Sequence, residues 1–233
     1  MGAMSPISEL EGYSMRPYRL DIDPADVDVD GIAENQTLVG AGNLTLDGAL
    51  CDLGTAGQFD IADAYSSGIG GVQIAIDSAG DVSGVTFTVT GKNEDGISTT
   101  EDITGVTTTA VESTTYWSQI TQIAADGAVG SNVFVGPVDE IITRTLPVNR
   151  RATEAGTAVV SGLSGTCQFD IDETFDDIQS TVPALTTNWI TKNSNASADV
   201  VQALSLHATG VRLKFDSYTN GAELQLTVLQ NNG

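Results

Sequence analysis

A chain of 233 residues has room for one large or two ordinary domains, and can bury an apolar interior without metals or many disulfides. Its formal charge of −22, with nine basic residues against 31 acidic ones, opposes a phosphate backbone, so no nucleic-acid partner is expected. No run approaches the ~18 apolar residues of a membrane-spanning helix, so no membrane partner is expected either. Abundant Thr, Val, Ile, Gly, Ala, Ser and Asp point to short strands joined by tight turns.

The first ten residues carry Glu9 and lack a basic head before an apolar stretch, so they do not read as a secretory signal, and folding in the cytosol is expected. Residues 1–35 contain Pro6, Pro17 and Pro24 and a run of alternating acids from Asp21 to Asp30. The prolines exclude a long helix and the acid density argues against a buried sheet position, which predicts an extended N-terminal arm. Such an arm can stay disordered alone and order only against a neighbouring subunit. Within it Asp26, Asp28 and Asp30, followed by Gly31, match the first half of a calcium loop. The twelfth position is Thr37 where such a loop has Glu, so this is a weak calcium candidate beside the competing reading of a solvated acidic arm.

Residues 36–143 read as a first β module. Alternation predicts strands at 43–47, 72–76 and 85–90, the last entering the turn Lys92-Asn93-Glu94-Asp95-Gly96. Asp95-Gly96 is a reverse-turn signal and predicts a hairpin returning over 97–103. Shorter strands are expected at 111–115, 117–123 and 132–135. The segment from Ile141 onward, with Pro147, reads as a connection, bounded as a linker at 144–154. Three arginines, Arg144, Arg150 and Arg151, crowd into it. With Arg16 and Arg19 of the arm they are the candidate interface cations, a solvated linker being the alternative.

Residues 155–233 read as a second β module ending on strands at 211–215 and 223–229 around Tyr218-Thr219-Asn220-Gly221, again a hairpin signal. Periodicity leaves 198–206 open between strand and helix. The second module repeats the first. Gln58-Phe59-Asp60-Ile61 with Tyr65 returns as Gln168-Phe169-Asp170-Ile171 with Phe175, and the strand pair 72–78 and 85–89 returns at 211–217 and 224–228. The expected fold is therefore all-β, two tandem β-sandwich modules of jelly-roll or Ig-like style preceded by the arm.

Residues that carry chemistry are few. His207 stands alone, Cys51 and Cys167 show no metal or redox spacing, and no G-x-S-x-G elbow is present. Gly68-Ile69-Gly70-Gly71 precedes a strand, so it offers no helix terminus to a phosphate. Asp60 and Asp170 recur in equivalent places, which predicts capping or acceptance of backbone N–H bonds. Trp117 and Trp189 are either interior packing or a stacking surface for a glycan. No enzyme, no cofactor and no firm metal site are expected.

One stretch carries a family resemblance. Val85-Thr86-Phe87-Thr88-Val89-Thr90-Gly91 is followed by Asp95-Gly96, then Glu101-Asp102-Ile103-Thr104-Gly105, Tyr116-Trp117-Ser118-Gln119-Ile120, and Val133-Phe134-Val135-Gly136. This order resembles a β module of virion structural proteins of tailed bacteriophages, and residues 211–230 resemble the final hairpin of such proteins. The resemblance implies a capsid decoration or head-associated protein, or a neck or tail ring subunit. It also implies a homo-oligomer made in the host cytoplasm and bound to other virion proteins such as the major capsid protein. From a different class, a carbohydrate-binding adhesin module would bring a tryptophan to the surface.

Overall fold

The computed structural model describes residues 17–51, 54–65, 68–148, 154–178 and 187–230. Among the described residues the chain is all-β apart from one helical turn. It opens with β1 (Tyr18–Ile22), β2 (Ala33–Leu38) and β3 (Gly42–Asn43), then β4 (Phe59–Asp60) runs directly into the four-residue helix α1 (Ile61–Ala64). Next come β5 (Ile69–Ser78), β6 (Thr86–Asn93), β7 (Ser98–Thr104), β8 (Val111–Glu112), β9 (Trp117–Ala125) and the long β10 (Val129–Thr143). The remainder is β11 (Leu146–Pro147), β12 (Thr157–Ser164), β13 (Cys167–Thr174), β14 (Ile190–Ala196), β15 (Val200–Ala203), β16 (Gly210–Tyr218) and β17 (Glu223–Leu229).

Two sheets hold these strands. The smaller has the order β1-β17-β12-β15. The larger has 13 strands along β14-β13-β16-β10-β5-β9-β6-β7, with β11 on β16, β2 on β10, β3 and β4 on β9, and β8 on β5. Two joints in the larger sheet are narrow, each a single register pair: Val72 opposite Trp117 between β5 and β9, and Ile142 opposite Lys214 between β10 and β16. Strands from both sides of residues 144–154 thus share one sheet, β10 being the bridge.

The hairpin predicted at Asp95-Gly96 is present. β6 and β7 pair from Thr86 opposite Thr104 to Lys92 opposite Ser98. Asn93 Oδ1 accepts from Asp95 N and Ile97 N, and Gly96 takes φ 74°, a conformation that costs a Cβ-free residue nothing. Within the region left open at 198–206, Val200–Ala203 forms strand β15.

Other expectations are corrected. The members of the repeated strand pairs do not pair with each other: β5 and β6 are not neighbours, and β16 and β17, where a hairpin was expected, lie in different sheets. The Asn220-Gly221 turn, closed by Ala222 N donating to Thr219 O, therefore carries the chain from one sheet to the other. Ile141 and Ile142 do not begin a connection. They are fully buried in β10, which pairs β5 there, because a 15-residue strand continues past the bulge after Pro137. At 43–47 only Gly42–Asn43 is strand, though Leu44 and Leu46 are buried.

The acidic segment does occupy sheet positions. Tyr18–Ile22 pairs β17 from Tyr18 opposite Val228 to Ile22 opposite Leu224, and Ala33–Leu38 pairs β10. Strand alternation reconciles the acids with burial, since Asp21 and Asp23 face solvent while Ile22 and Pro24 face inward. β1 is also an edge strand, where outward charge is favourable.

One continuous apolar cluster draws on strands of both sheets. Phe59, Phe87, Phe169 and Phe215 sit in it essentially without solvent contact, each contributing ~1.5–3 kcal/mol by burial. Phe59 meets Tyr65 edge-on at 6.4 Å between centroids, and Phe215 meets Tyr218 likewise at 6.5 Å.

Candidate interaction surfaces

Of the predicted interface cations, Arg16, Arg150 and Arg151 lie outside the described residues. Arg19 is exposed and donates from Nε and Nη2 to Asp21 Oδ1 at 3.0 and 2.8 Å, a pair two residues apart on one edge strand. Arg144 is exposed and tied to the start of β5, its Nε donating to Ile69 O at 3.3 Å and its backbone N to Gly68 O at 2.9 Å. The two arginines serve separate elements.

The calcium candidate does not form a set of ligands. Burial, and after it neighbouring Asp30, raises the Asp28 carboxyl from its ordinary value. Among the described residues no group of three or more His, Cys, Asp or Glu side chains is placed to hold a metal ion. The segment is held through its backbone instead: Ala25 O accepts from Tyr218 Oη at 3.0 Å, Val27 N donates to Asn220 Oδ1 at 3.4 Å, and Ile32 N donates to Val135 O at 2.9 Å. It thus touches both the turn after β16 and strand β10.

Carboxylates elsewhere terminate backbone N–H groups. Asp60 caps α1, Oδ1 accepting from Ala62 N at 2.9 Å, and its Oδ2 accepts from Gln119 Nε2 at 3.1 Å. Asp170 Oδ1 accepts from Asn195 N at 2.8 Å, holding a residue at φ 56°. Both recurring acids do what their repetition predicted. Glu101 accepts from Thr114 N, Thr114 Oγ1 and Thr115 N. Burial works to raise its carboxyl, but those bonds outweigh it and hold the group below its ordinary value. His207 is exposed, in a turn at φ 71°.

Among the described residues a charge cluster gathers around Arg212, which is 8% exposed. Its Nε lies 3.6 Å from Asp172 Oδ2, its Nη1 lies 3.8 Å from Glu94 Oε1, and its Cζ stands 4.0 Å over the Trp189 ring. Both ion-pair distances exceed hydrogen-bonding range, and Nε has no hydrogen-bond partner among the described residues. Burial pushes the guanidinium down and the two acids push it back up, while burial raises Glu94. Asp172 also accepts from Thr191 Oγ1 at 2.8 Å. Next to it Glu173, almost fully buried, accepts from Ser205 N at 2.8 Å and lies 3.5 Å from Lys192 Nζ. Glu94 belongs to the β6–β7 turn and Arg212 to β16, so the cluster bolts distant parts of the chain together.

Sequence reasoning missed this cluster, although a signal existed. Asp170 and Asp172 alternate on β13, Arg212 and Lys214 alternate on β16, and the register sets Asp170 opposite Lys214 and Asp172 opposite Arg212. Of the two tryptophans, Trp117 is fully buried and Trp189 is half-buried against the arginine.

Two shallow concavities mark the surface. One, of about 420 Å³, lies over β6, β7 and β9, among Thr90, Lys92, Ser98, Thr100, Gln119 and Thr121. The other, of about 200 Å³, is mainly apolar and lies over β5, β8 and β10. Among the described residues no helix is long and apolar enough to cross a membrane. No protein-family model matches the chain, and no curated protein matches it.

Proposed function

We propose that the chain is a structural component of a tailed-phage virion, a capsid decoration or head-associated protein that stabilises the particle through protein–protein contacts. In this reading it consists of two tandem β-sandwich modules, joined through β10 and preceded by an N-terminal arm, and acts as a homo-oligomer. The observation that carries the proposal is the use of its acids. Asp60, Asp170 and Glu101 terminate backbone groups, and Asp172 faces Arg212, so these side chains hold strands and turns together. The resemblance of residues 85–136 to virion β modules supplies the setting.

The test is to label this protein on purified particles with an antibody and image the label. Label spread over the head fits decoration, and label confined to the portal axis moves the assignment to a neck or tail ring. Particles without label would overturn the virion reading. A second reading, a carbohydrate-binding adhesin module, is favoured by Trp189 being the half-exposed tryptophan. Saturable quenching of its fluorescence by host polysaccharide supports that reading, and a flat response across a broad glycan panel removes it.

A further inference from the structure

The apolar concavity over β5, β8 and β10 has the construction of a side-chain socket. Its floor is one row across three strands: Gly136 on β10 is directly opposite Ala75 on β5, which is directly opposite Glu112 on β8. Ala75 keeps the floor low, while the space over Gly136 is taken by the acidic segment. Gly136 is required there, because a Cβ would collide with Asp28 O and the Val29 backbone where the acidic segment crosses β10. The next row places Phe134 opposite Asp77.

The walls come from two irregularities. Between Pro137 opposite Ile74 and Ile141 opposite Val72, β10 carries extra residues, and this bulge displaces Val138 and Asp139 from the ladder. Pro137 has no N–H to continue the pairing. On the other side Val29, 63% exposed, projects from the acidic segment and leaves an apolar surface that no described element covers. Asp77, Glu112 and Asp139 stand among these apolar groups.

At about 200 Å³ the space is below the ~300–1,000 Å³ of small-molecule pockets, and suits one or two apolar side chains. Three carboxylates around it favour cations on either side of the inserted group. A second copy of this chain is a poor source, since each copy carries −22 and has nine basic residues in all. We propose that this groove docks an extended segment of a basic partner protein, seating an aliphatic side chain between Val29 and Phe134 with flanking Lys or Arg side chains on Asp77, Glu112 and Asp139. The inference goes beyond the virion reading and stands without it.

The test uses the intact protein and three blocked, fluorescein-labelled pentapeptides of alternating sequence: lysine–leucine, lysine–serine and glutamate–leucine. Fluorescence anisotropy is expected to show saturable binding of the lysine–leucine peptide alone. Asp77→Lys reverses a charge at the groove and is expected to weaken binding by about tenfold or more. Glu223→Lys makes the same charge change at the start of β17 in the smaller sheet, and is expected to alter it by less than about twofold. Ala75→Leu fills the floor and is expected to abolish binding, with Asp77→Lys as the surface variant if the filled protein does not fold. Equal binding of the lysine–serine peptide, or equal weakening by Glu223→Lys, would reduce the effect to diffuse charge and overturn the proposal. Equal binding of the glutamate–leucine peptide, or no saturable binding of any peptide, also overturns it.

Discussion

Residues 58–61 and 168–171 carry the same four side chains and end in different structures. In the first copy Phe59 and Asp60 pair β9 for two residues, and the chain then coils into α1 with Asp60 as its cap. In the second, Phe169 and Asp170 sit inside an eight-residue strand with β16 on one side and β14 on the other. Both phenylalanines are fully buried, and Ile61 and Ile171 are buried too. The quartet thus determines which side chains go inside and where a short acceptor stands, while the flanking strands determine whether the backbone coils or extends. Local sequence specifies burial here, and tertiary pairing specifies path.

The strongest way to break that comparison is to remove the shared aromatic from each copy. Phe59→Ala and Phe169→Ala are each expected to cost about 3–5 kcal/mol in urea denaturation. A much smaller loss at one of them would show that the copies do not bury their rings for the same purpose. Next comes a position of the repeated strand at which the copies differ, Arg212 against Gln73. Arg212→Gln installs the first copy's residue and leaves Asp172 buried without its cation, with an expected loss of about 3 kcal/mol. The reverse change, Gln73→Arg, is half-buried and is expected to move stability by less than about 1 kcal/mol.

The acids of the quartet give a smaller effect. Asp60→Ala removes a helix cap and is expected to cost about 1 kcal/mol. Asp170→Ala removes one bond to a backbone N–H, with a similar loss of about 1 kcal/mol. The two differ in location, so amide hydrogen exchange should accelerate at Ala62 in one variant and at Asn195 in the other.

The smallest expected signal is in pH dependence, and two glutamates beside the same hairpin oppose each other. Burial raises Glu94, so the folded state binds its proton more tightly than the unfolded chain does. Its contribution to stability therefore grows as pH falls through the raised value toward the ordinary 4.5. Glu101 is held low, so its contribution is complete above 4.5 and is lost as pH falls through its depressed value. In urea titrations across pH, Glu94→Gln should flatten the arm above 4.5 and Glu101→Gln the arm below it.

What was legible in the sequence was local. The β6–β7 hairpin followed from Asp95-Gly96, and the structural use of Asp60 and Asp170 followed from their repetition. The partners of β1 and β2 were not legible, because an acidic, proline-bearing stretch gives no sign of the strand that will pair it. The sheet change at Asn220-Gly221 was hidden for a similar reason: the turn motif reports a reversal of direction and not which sheet receives the chain. The Arg212 cluster and the socket draw on residues far apart in sequence, such as Glu94 with Trp189 and Val29 with Ala75. Alternating charges on β13 and β16 were the readable half of the first, and no comparable pattern marks the second.

The pairing of Tyr18 with Val228 has a consequence for how the molecule is made. A nascent β1 leaves the ribosome roughly 10–40 s before its hydrogen-bonding mate at elongation rates of about 5–20 residues per second. During that interval its amides must remain hydrated or be sheltered by a chaperone. A prematurely terminated product lacking β17 would leave both β1 and β12 with open edges, giving the cell's proteases a ready means of sorting incomplete copies from finished ones.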